Sequence, residues 1–140
     1  VAKNNQALKA LPTRDAVLPM LALLCMAREQ GVASSKLSQN LPKRFTASDR
    51  LQNFSHERSK RILNQLSSDL SITAKVLASD AGEIVDVNLT DGLRLTFANG
   101  DIVHLRPSGN APELRCYTEA ATEAKAKLLC ESTLKLIDLM

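Results

Sequence analysis

The C-terminal part of the sequence alternates between apolar and polar residues with a period of two, which is typical of β-strands that bury one face. Four such runs follow Glu83, separated by "TDG", by "NGD" and by a longer loop after Arg106. Asp-Gly and Asn-Gly between alternating runs are strong hairpin signals. The pattern predicts a four-stranded antiparallel meander with inward-facing Val85, Val87, Leu89, Leu93, Leu95, Phe97, Val103, Leu105, Leu114 and Cys116.

A helix is predicted over residues 13–30, where Thr13 or Asp15 can cap it and Gly31 ends it. Its stretch "AVLPMLALLCMA" is apolar on nearly every side, and helices of that kind are buried on most faces. We therefore expect part of its packing partner to be missing. The chain begins with Val1 rather than Met, and we also expect it to be a piece of a longer protein.

Further elements follow this lead-in. A short helix is predicted from residue 34 to about residue 40, before a break at Pro42, and "RFTASDRL" is a possible strand. Ser55 can cap a helix to about residue 69, whereas the weak pattern over 71–82 leaves that stretch open. Thr118 is predicted to cap a final helix, with the core candidates Leu128, Cys130, Leu134 and Ile137.

These elements predict an α+β fold in two layers. A four- to five-stranded, mainly antiparallel sheet would be covered on one face by helices over residues 42–140. Residues 1–41 would form a separate helical lead-in.

The composition limits the classes of function that the chain can have. The net charge of +3 permits an anionic ligand, but the aromatic share of 3% and the scattered basic residues argue against nucleic-acid binding. The three cysteines, Cys25, Cys116 and Cys130, lack disulfide or zinc spacing, so we expect a reducing, cytoplasmic location. The longest apolar stretch is too short to span a membrane, and we expect no membrane partner.

The loop "RPSGNAPELRCY" carries the candidate chemistry. Period two places Arg106 and Arg115 on one face of adjacent strands. If Arg106 lies across from Glu113, Arg115 is its diagonal neighbour, about 7–8 Å away. Two guanidiniums that close repel each other unless a negative group is near, and either Glu113 or a bound anion could supply it.

The residues inside the loop allow two interpretations. Pro107 stiffens its entry and Gly109 removes a side chain at the bend, so successive N–H groups could form an anion-binding nest. Ser108 and Asn110 add hydrogen-bonding groups, and arginine forks match phosphate geometry. The same residue types are ordinary turn formers, however, so a plain hairpin loop explains them equally well.

"RPSGNAPELR" resembles the phosphate-binding loop of the α-D-phosphohexomutases, with the pattern Arg-x-Ser-(Gly/Asn)-(Thr/Asn)-x-Pro followed shortly by Arg. "LPTRDAVLPMLALL", "LPKRFTASDRL" and "DGLRLTFANGDIVHLRPSGNAPELRCYTEA" are most similar to the phosphomannomutase branch. The resemblance implies the TATA-binding-protein-like fourth domain of a four-domain enzyme, preceded by the end of the third. It also implies a phosphate site formed by Arg106, Ser108, Gly109, Asn110 and Arg115, where Asn110 replaces the commoner Thr.

The resemblance further implies a parent enzyme that moves a phosphoryl group between the 1- and 6-positions of a hexose. Such an enzyme uses a phosphoserine, Mg²⁺ and a hexose 1,6-bisphosphate intermediate, with residues 41–43 as a hinge in its last domain. The metal loop and the sugar-recognition loop of the family are absent from this sequence. We therefore expect no catalytic or metal-binding residue here, a sugar phosphate and the three preceding domains as partners, and no activity of the fragment alone. A stand-alone interaction or anion-binding module is the alternative.

Four other residues invite a functional interpretation. "TASD" is superficially similar to a phosphoserine loop, but no activating base accompanies Ser48, so we interpret it as a decoy. His104 and His56 are predicted to be surface residues. Cys116 should point inward as a small apolar side chain.

Overall fold

A computed structural model of the protein describes residues 15–41, 43–78 and 80–140. The chain divides into two compact units, residues 1–42 and residues 43–140, which are described separately here. Thr13, the alternative helix cap, and Pro42, the predicted break, lie outside the described residues.

The first unit contains helix α1, Val17–Gln30, and a 3₁₀ helix, Ser34–Asn40. Asp15 begins α1, because its Oδ1 accepts the N–H groups of Val17 at 2.8 Å and of Leu18 at 3.1 Å. Gly31 ends α1 in the left-handed conformation at φ 63°. The predicted end of α1, the predicted bounds of the short helix and the capping role of Asp15 are confirmed, whereas residues 15 and 16 of the predicted helix over 13–30 are not helical.

Helix α1 leaves most of its apolar side chains exposed, and Ala27 is its one buried residue among those described. Cys25 is exposed. The large apolar side chains of α1 that are more than two-fifths exposed are Val17, Met20, Leu21, Leu23, Leu24 and Met26.

The second unit is built on one five-stranded antiparallel sheet. Its strands are β1 (Phe45–Gln52), β2 (Ile84–Asn88), β3 (Leu93–Phe97), β4 (Ile102–Pro107) and β5 (Glu113–Ala120). They lie in the order β1-β5-β4-β3-β2. The meander is confirmed, and "RFTASDRL" supplies the fifth strand at the free side of β5.

Three helices cover one face of this sheet: α2 (His56–Ser68), α3 (Leu70–Ala78) and α4 (Glu123–Asp138). The Ser55 hydroxyl accepts the N–H of Arg58 at 3.2 Å and caps α2, as predicted. Of the undecided stretch over 71–82, the part up to Ala78 belongs to helix α3. A single apolar core lies between sheet and helices, so the α+β fold with one helix-covered face is confirmed.

The predicted start of the last helix is wrong. Thr118 lies within β5 and is buried, and its hydroxyl donates to the Ala126 carbonyl at 2.7 Å. Pairing with β1 and β4 extends β5 to Ala120, and Thr122 caps α4 by accepting the N–H of Lys125 at 3.2 Å. The cap moves because long-range strand pairing outweighs the local preference of Thr118 for a helix start.

Three predicted core positions are also wrong. Val85 is 58% exposed because the ladder between β2 and β3 shifts by one residue between Ile84 and Asp86, and a bulge turns the side chains of a strand. Leu89 is exposed just beyond the end of β2, and Leu128 is exposed on α4. The other core candidates of α4, Cys130, Leu134 and Ile137, are buried.

Candidate functional site

The sheet face opposite the helices carries a row of three arginines across three neighbouring strands. Arg115 of β5 lies directly opposite Arg50 of β1 on one side and opposite Arg106 of β4 on the other. Strand alternation puts all three on the polar face, since the residues before and after Arg115, Leu114 and Cys116, are fully buried. The predicted common face of Arg106 and Arg115 is confirmed.

The register that would make Arg115 a diagonal neighbour of Arg106 is not the one that forms. Arg106 pairs with Arg115, not with Glu113, and the next pair is Pro107 with Leu114. The loop therefore closes at Ser108, whose N–H donates to the Glu113 carbonyl at 2.9 Å. The two guanidinium groups extend from directly opposed positions, where Cβ atoms are about 4.5–5.5 Å apart, so they start closer together than the diagonal arrangement would allow.

Arg106 has a carboxylate of its own. Its Nε lies 2.7 Å from Oδ2 of Asp91, in the turn between β2 and β3. The contact is an ion pair rather than a well-directed hydrogen bond, because Nε has no partner with hydrogen-bond geometry among the described residues. This contact and the attraction to the Asp91 charge hold the pKa of Arg106 above its usual value. The guanidinium is therefore always charged.

Arg50 and Arg115 share one carboxylate. Oε2 of Glu113 lies 3.5 Å from Nη1 of Arg50 and 3.6 Å from Nη2 of Arg115. The Glu113 side chain is 14% exposed, whereas the two arginine side chains are 50% and 38% exposed. Both separations exceed the 2.7–2.9 Å of a charge-assisted hydrogen bond. Glu113 thus reduces the repulsion between the two cations without fixing either one.

The loop between β4 and β5 adds backbone donors next to this row. The structure places Ser108 in a buried position and Gly109 and Asn110 at the surface. Within the described part of the chain, no backbone acceptor takes the N–H groups of Gly109, Asn110 and Ala111. Three successive unpaired donors beside arginines are the composition of an anion-binding nest.

Gly109 is not needed for the bend itself. A Cβ at this position would meet nothing within 4 Å, and its φ is not in the left-handed region. The space next to its hydrogen is open.

Other polar side chains border the row. His104 and Tyr117 form the next cross-strand pair on this face after Arg106 and Arg115, and their ring centroids are 5.8 Å apart. His104 Nε2 lies 2.7 Å from the Asp91 carbonyl oxygen. An open concavity of about 480 Å³ is lined by Ser48, Asp49, Arg50, Arg115 and Tyr117. Ser48 faces Tyr117 across the β1–β5 pair. Its contacts among the described residues include no hydrogen-bonded base, and nothing there activates it as a nucleophile.

Two further observations limit the chemistry of the described residues. No group of three or more His, Cys, Asp or Glu side chains in 15–41, 43–78 and 80–140 is placed to hold a metal ion. In the same ranges, no helix is long and apolar enough to cross a bilayer. Cys116 is buried in β5 as predicted. The contact of its thiol with Cys130, and then its burial, raise the pKa of that thiol.

Sequence reasoning did not identify Arg50 or Asp91 as parts of this surface. "RFTASDRL" was only a possible strand, and its partner strand could not be predicted from local pattern. Asp91 is half of the Asp-Gly turn signal, so its role as a turn residue hid its role as the counter-charge of Arg106.

The fold and this surface define an α+β domain with a cationic, loop-bordered sheet face. The sequence profile of the family described as phosphoglucomutase/phosphomannomutase, C-terminal domain, matches residues 42–136. The chain belongs to this family.

Three curated relatives agree with that assignment. A phosphomannomutase of Salmonella muenchen is 42% identical over 131 residues, which are 94% of this chain and 27% of the relative. A phosphomannomutase of Sinorhizobium fredii is 43% identical over 119 residues, 84% of this chain and 24% of the relative. A protein of Methanothermobacter thermautotrophicus named "Probable phosphoglucosamine mutase" is 38% identical over 60 residues, 43% of this chain and 13% of the relative. The chain thus spans about a quarter of the length of the two phosphomannomutases.

Proposed function

We propose that this chain is the C-terminal part of a phosphomannomutase-type enzyme and that it binds the phosphate group of a hexose phosphate. The observation that carries the proposal is the placement of Arg106 and Arg115 opposite each other, below a loop whose N–H groups at 109–111 are unpaired. Forked guanidinium donors and backbone N–H groups are the two kinds of donor that phosphate oxygens prefer. The family membership supports the same ligand class.

In this proposal Arg106, Ser108, Gly109, Asn110 and Arg115 bind the phosphate that is not reacting. A hexose 1,6-bisphosphate has two phosphoryl ends, and the same site would bind either one. Binding energy from the far end would position the reacting end, which lowers the barrier without any chemistry in this domain. The described residues perform no bond-making step.

The remaining machinery of the parent enzyme would come from three preceding domains, in a cytoplasmic protein without nucleic-acid or membrane partners. Mg²⁺ would supply charge neutralisation for the phosphoryl group. The described residues offer no metal-binding cluster, so no step is assigned to the ion in this domain. The exposed apolar side chains of α1 support the inclusion of a neighbouring domain, since such patches mark interaction surfaces.

An NMR titration of the 140-residue chain with inorganic phosphate and with mannose 6-phosphate tests the proposal. We expect millimolar binding, with amide shifts centred on residues 106–115. Arg106→Ala and Arg115→Ala should weaken binding at least about fivefold, since each removes a charged donor. Arg61→Ala is the matched control, because Arg61 is exposed on α2, which packs on the opposite sheet face.

Two results would contradict the proposal. An absence of shifts at tens of millimolar ligand would favour a stand-alone interaction module with an ordinary hairpin loop. Equal weakening by Arg61→Ala and Arg115→Ala would show a general charge effect rather than a site. A separate assay for hexose-phosphate mutase activity should detect no turnover by the purified chain, and measurable turnover would disprove its inactivity alone.

A further inference from the structure

Arg50 occupies a position in the polar face equivalent to those of the two loop arginines. It pairs directly with Arg115 across β1 and β5, and it lines the open concavity beside that strand pair. Its side chain is half-exposed, and its only ion pair among the described residues is the 3.5 Å contact with Glu113. Most of its guanidinium donors are therefore open to solvent.

The balance of charges along the row is uneven. Arg106 has Asp91 at 2.7 Å, so that pair is close to neutral. Among the described residues, Arg50 and Arg115 share one ion-pair partner, Glu113, at 3.5 and 3.6 Å. Asp49 also lines the concavity, but it makes no ion pair with either arginine, and it pairs across the strands with Cys116, which is buried on the helix side of the sheet. The uncompensated positive charge of the row therefore lies between β1 and β5, on the side of Arg115 away from the loop arginine Arg106.

We infer that Arg50 is a third phosphate-binding arginine and that the phosphate lies between Arg50 and Arg115 as well as against the loop. The inference rests on the proposed function and extends its site to a strand that the loop motif does not include. The ligand is a phosphate monoester dianion, which the unpaired charge favours. Neutral sugars and carboxylates lack the tetrahedral set of oxygens that two guanidinium forks and a backbone nest can share.

The loose contacts of Glu113 allow this binding. An arginine held by a short, two-pronged carboxylate contact would have to give up strong hydrogen bonds before it could bind an anion. Arg50 and Arg115 do not face that cost, because neither contact with Glu113 is shorter than 3.5 Å. Glu113 holds the two cations side by side, and the phosphate then supplies the closer hydrogen bonds.

Four variants of the 140-residue chain, titrated with inorganic phosphate, test the role of Arg50. Arg50→Ala should raise the dissociation constant about fivefold to tenfold, a loss similar to that of Arg115→Ala. Arg50→Lys keeps the charge but loses the fork, so its loss should be smaller. Arg61→Ala removes the same charge from the opposite face and should change binding less than about twofold at physiological salt.

A second readout detects direct contact and does not depend on the variants. In the wild-type chain, phosphate should shift the Nε–Hε resonance of Arg50 and the amide signals of residues 48–50, while the Nε–Hε resonance of Arg61 stays unchanged. This measurement keeps the test valid if Arg50→Ala disturbs β1.

The outcomes separate the two proposals. If wild-type chain shows no phosphate binding, the proposed function fails and the role of Arg50 fails with it. If the wild type binds and Arg115→Ala weakens binding, but Arg50→Ala behaves like Arg61→Ala and the Arg50 resonance does not move, only the inference about Arg50 is overturned. Weakening by Arg50→Ala together with a shifted Arg50 resonance supports it.

Discussion

Two glycines that follow turn-forming residues have different physical reasons to be glycine. Gly92, in the Asp-Gly turn, has φ 97°, and a Cβ there would lie 2.2 Å from the carbonyl oxygen of Leu105. Gly109, in the candidate phosphate loop, has neither a left-handed φ nor a close neighbour. The fold therefore requires the first glycine but not the second, which borders open space.

Alanine substitutions should separate these roles. Gly92→Ala should lower the free energy of unfolding by at least about 2 kcal/mol, because it combines a strained φ with a backbone clash. Gly109→Ala should change it by less than about 0.5 kcal/mol while weakening phosphate binding. Urea denaturation and the phosphate titration measure the two effects, and unchanged phosphate binding by Gly109→Ala would argue against a ligand in front of the loop.

Two buried threonines allow an equally direct comparison. The hydroxyl of Thr118 donates to the Ala126 carbonyl, whereas that of Thr133 has no hydrogen-bond partner in the described part of the chain. Thr118→Val should therefore destabilise the domain by about 1 kcal/mol. Thr133→Val should leave stability unchanged or raise it by about 1 kcal/mol, since it removes an unsatisfied polar group. Urea denaturation of both variants checks the opposite signs, and equal losses would contradict the assignment.

At the scale of elements, the local pattern predicts which residues form strands, but it does not predict which way every side chain in a strand faces. Alternation is a local property, so β3, β4 and β5 and the common face of Arg106 and Arg115 could be read directly from the sequence. The bulge that exposes Val85 could not, because it is set by the fit of β2 to β3.

The candidate site shows the same limit. Its loop arginines were predicted from the chain itself, but their register was not, since one residue of loop length changes which residues face each other. Arg50 was missed because β1 pairs with a strand far away in the sequence. A period-two pattern contains no information about which distant strand a given strand pairs with.

Helix α4 is joined to the β3–β4 turn by Lys125, whose ammonium lies 2.9 Å from Asp101 and 3.1 Å from Asp80. Asp101 is buried and also accepts the side-chain amide of Asn99 at 2.8 Å. The hydrogen bond from Lys125 to Asp101, and then the one to Asp80, raise the pKa of Lys125 above 10.5. The hydrogen bond from Lys125 holds the pKa of Asp80 below 3.8.

Lys125→Met should lower the free energy of unfolding by on the order of 1 kcal/mol near neutral pH, because it leaves the Asp101 carboxylate short of a partner. The contribution of Lys125 is fully present below pH 10.5 and is lost as pH rises through its higher folded pKa. The difference between wild type and variant should therefore shrink at strongly alkaline pH. Lys127→Met, which removes an exposed pair with Glu123, is the control and should change little.

At the scale of the whole molecule, the exposed apolar surface of α1 is the feature least typical of a folded protein. Leu21 and Leu24 are 53% and 58% exposed and lie three residues apart on the helix, so they form part of one patch. Large exposed apolar patches favour association.

The chain should therefore self-associate as its concentration rises. Replacing Leu21 and Leu24 together with Gln should reduce that association without lowering the melting temperature, because neither side chain is in the core. Sedimentation velocity and thermal unfolding measure both effects. Leu139→Gln changes a single leucine outside α1 that is 81% exposed, and equal reduction by this control would show that α1 is not the contact surface.

The position of β5 between β1 and β4 has a consequence for biosynthesis. Among the described strands of this sheet, β1 is synthesised first and β5 last, and the two pair with each other, so β1 has no pairing partner until β5 has left the ribosome. Such long-range closure slows folding. Arg50 and Arg115 lie opposite each other only when β1 and β5 are paired. A nascent chain that stops before β5 would carry neither the completed sheet nor the paired arginines, so the proposed phosphate site would form only once β5 is in place.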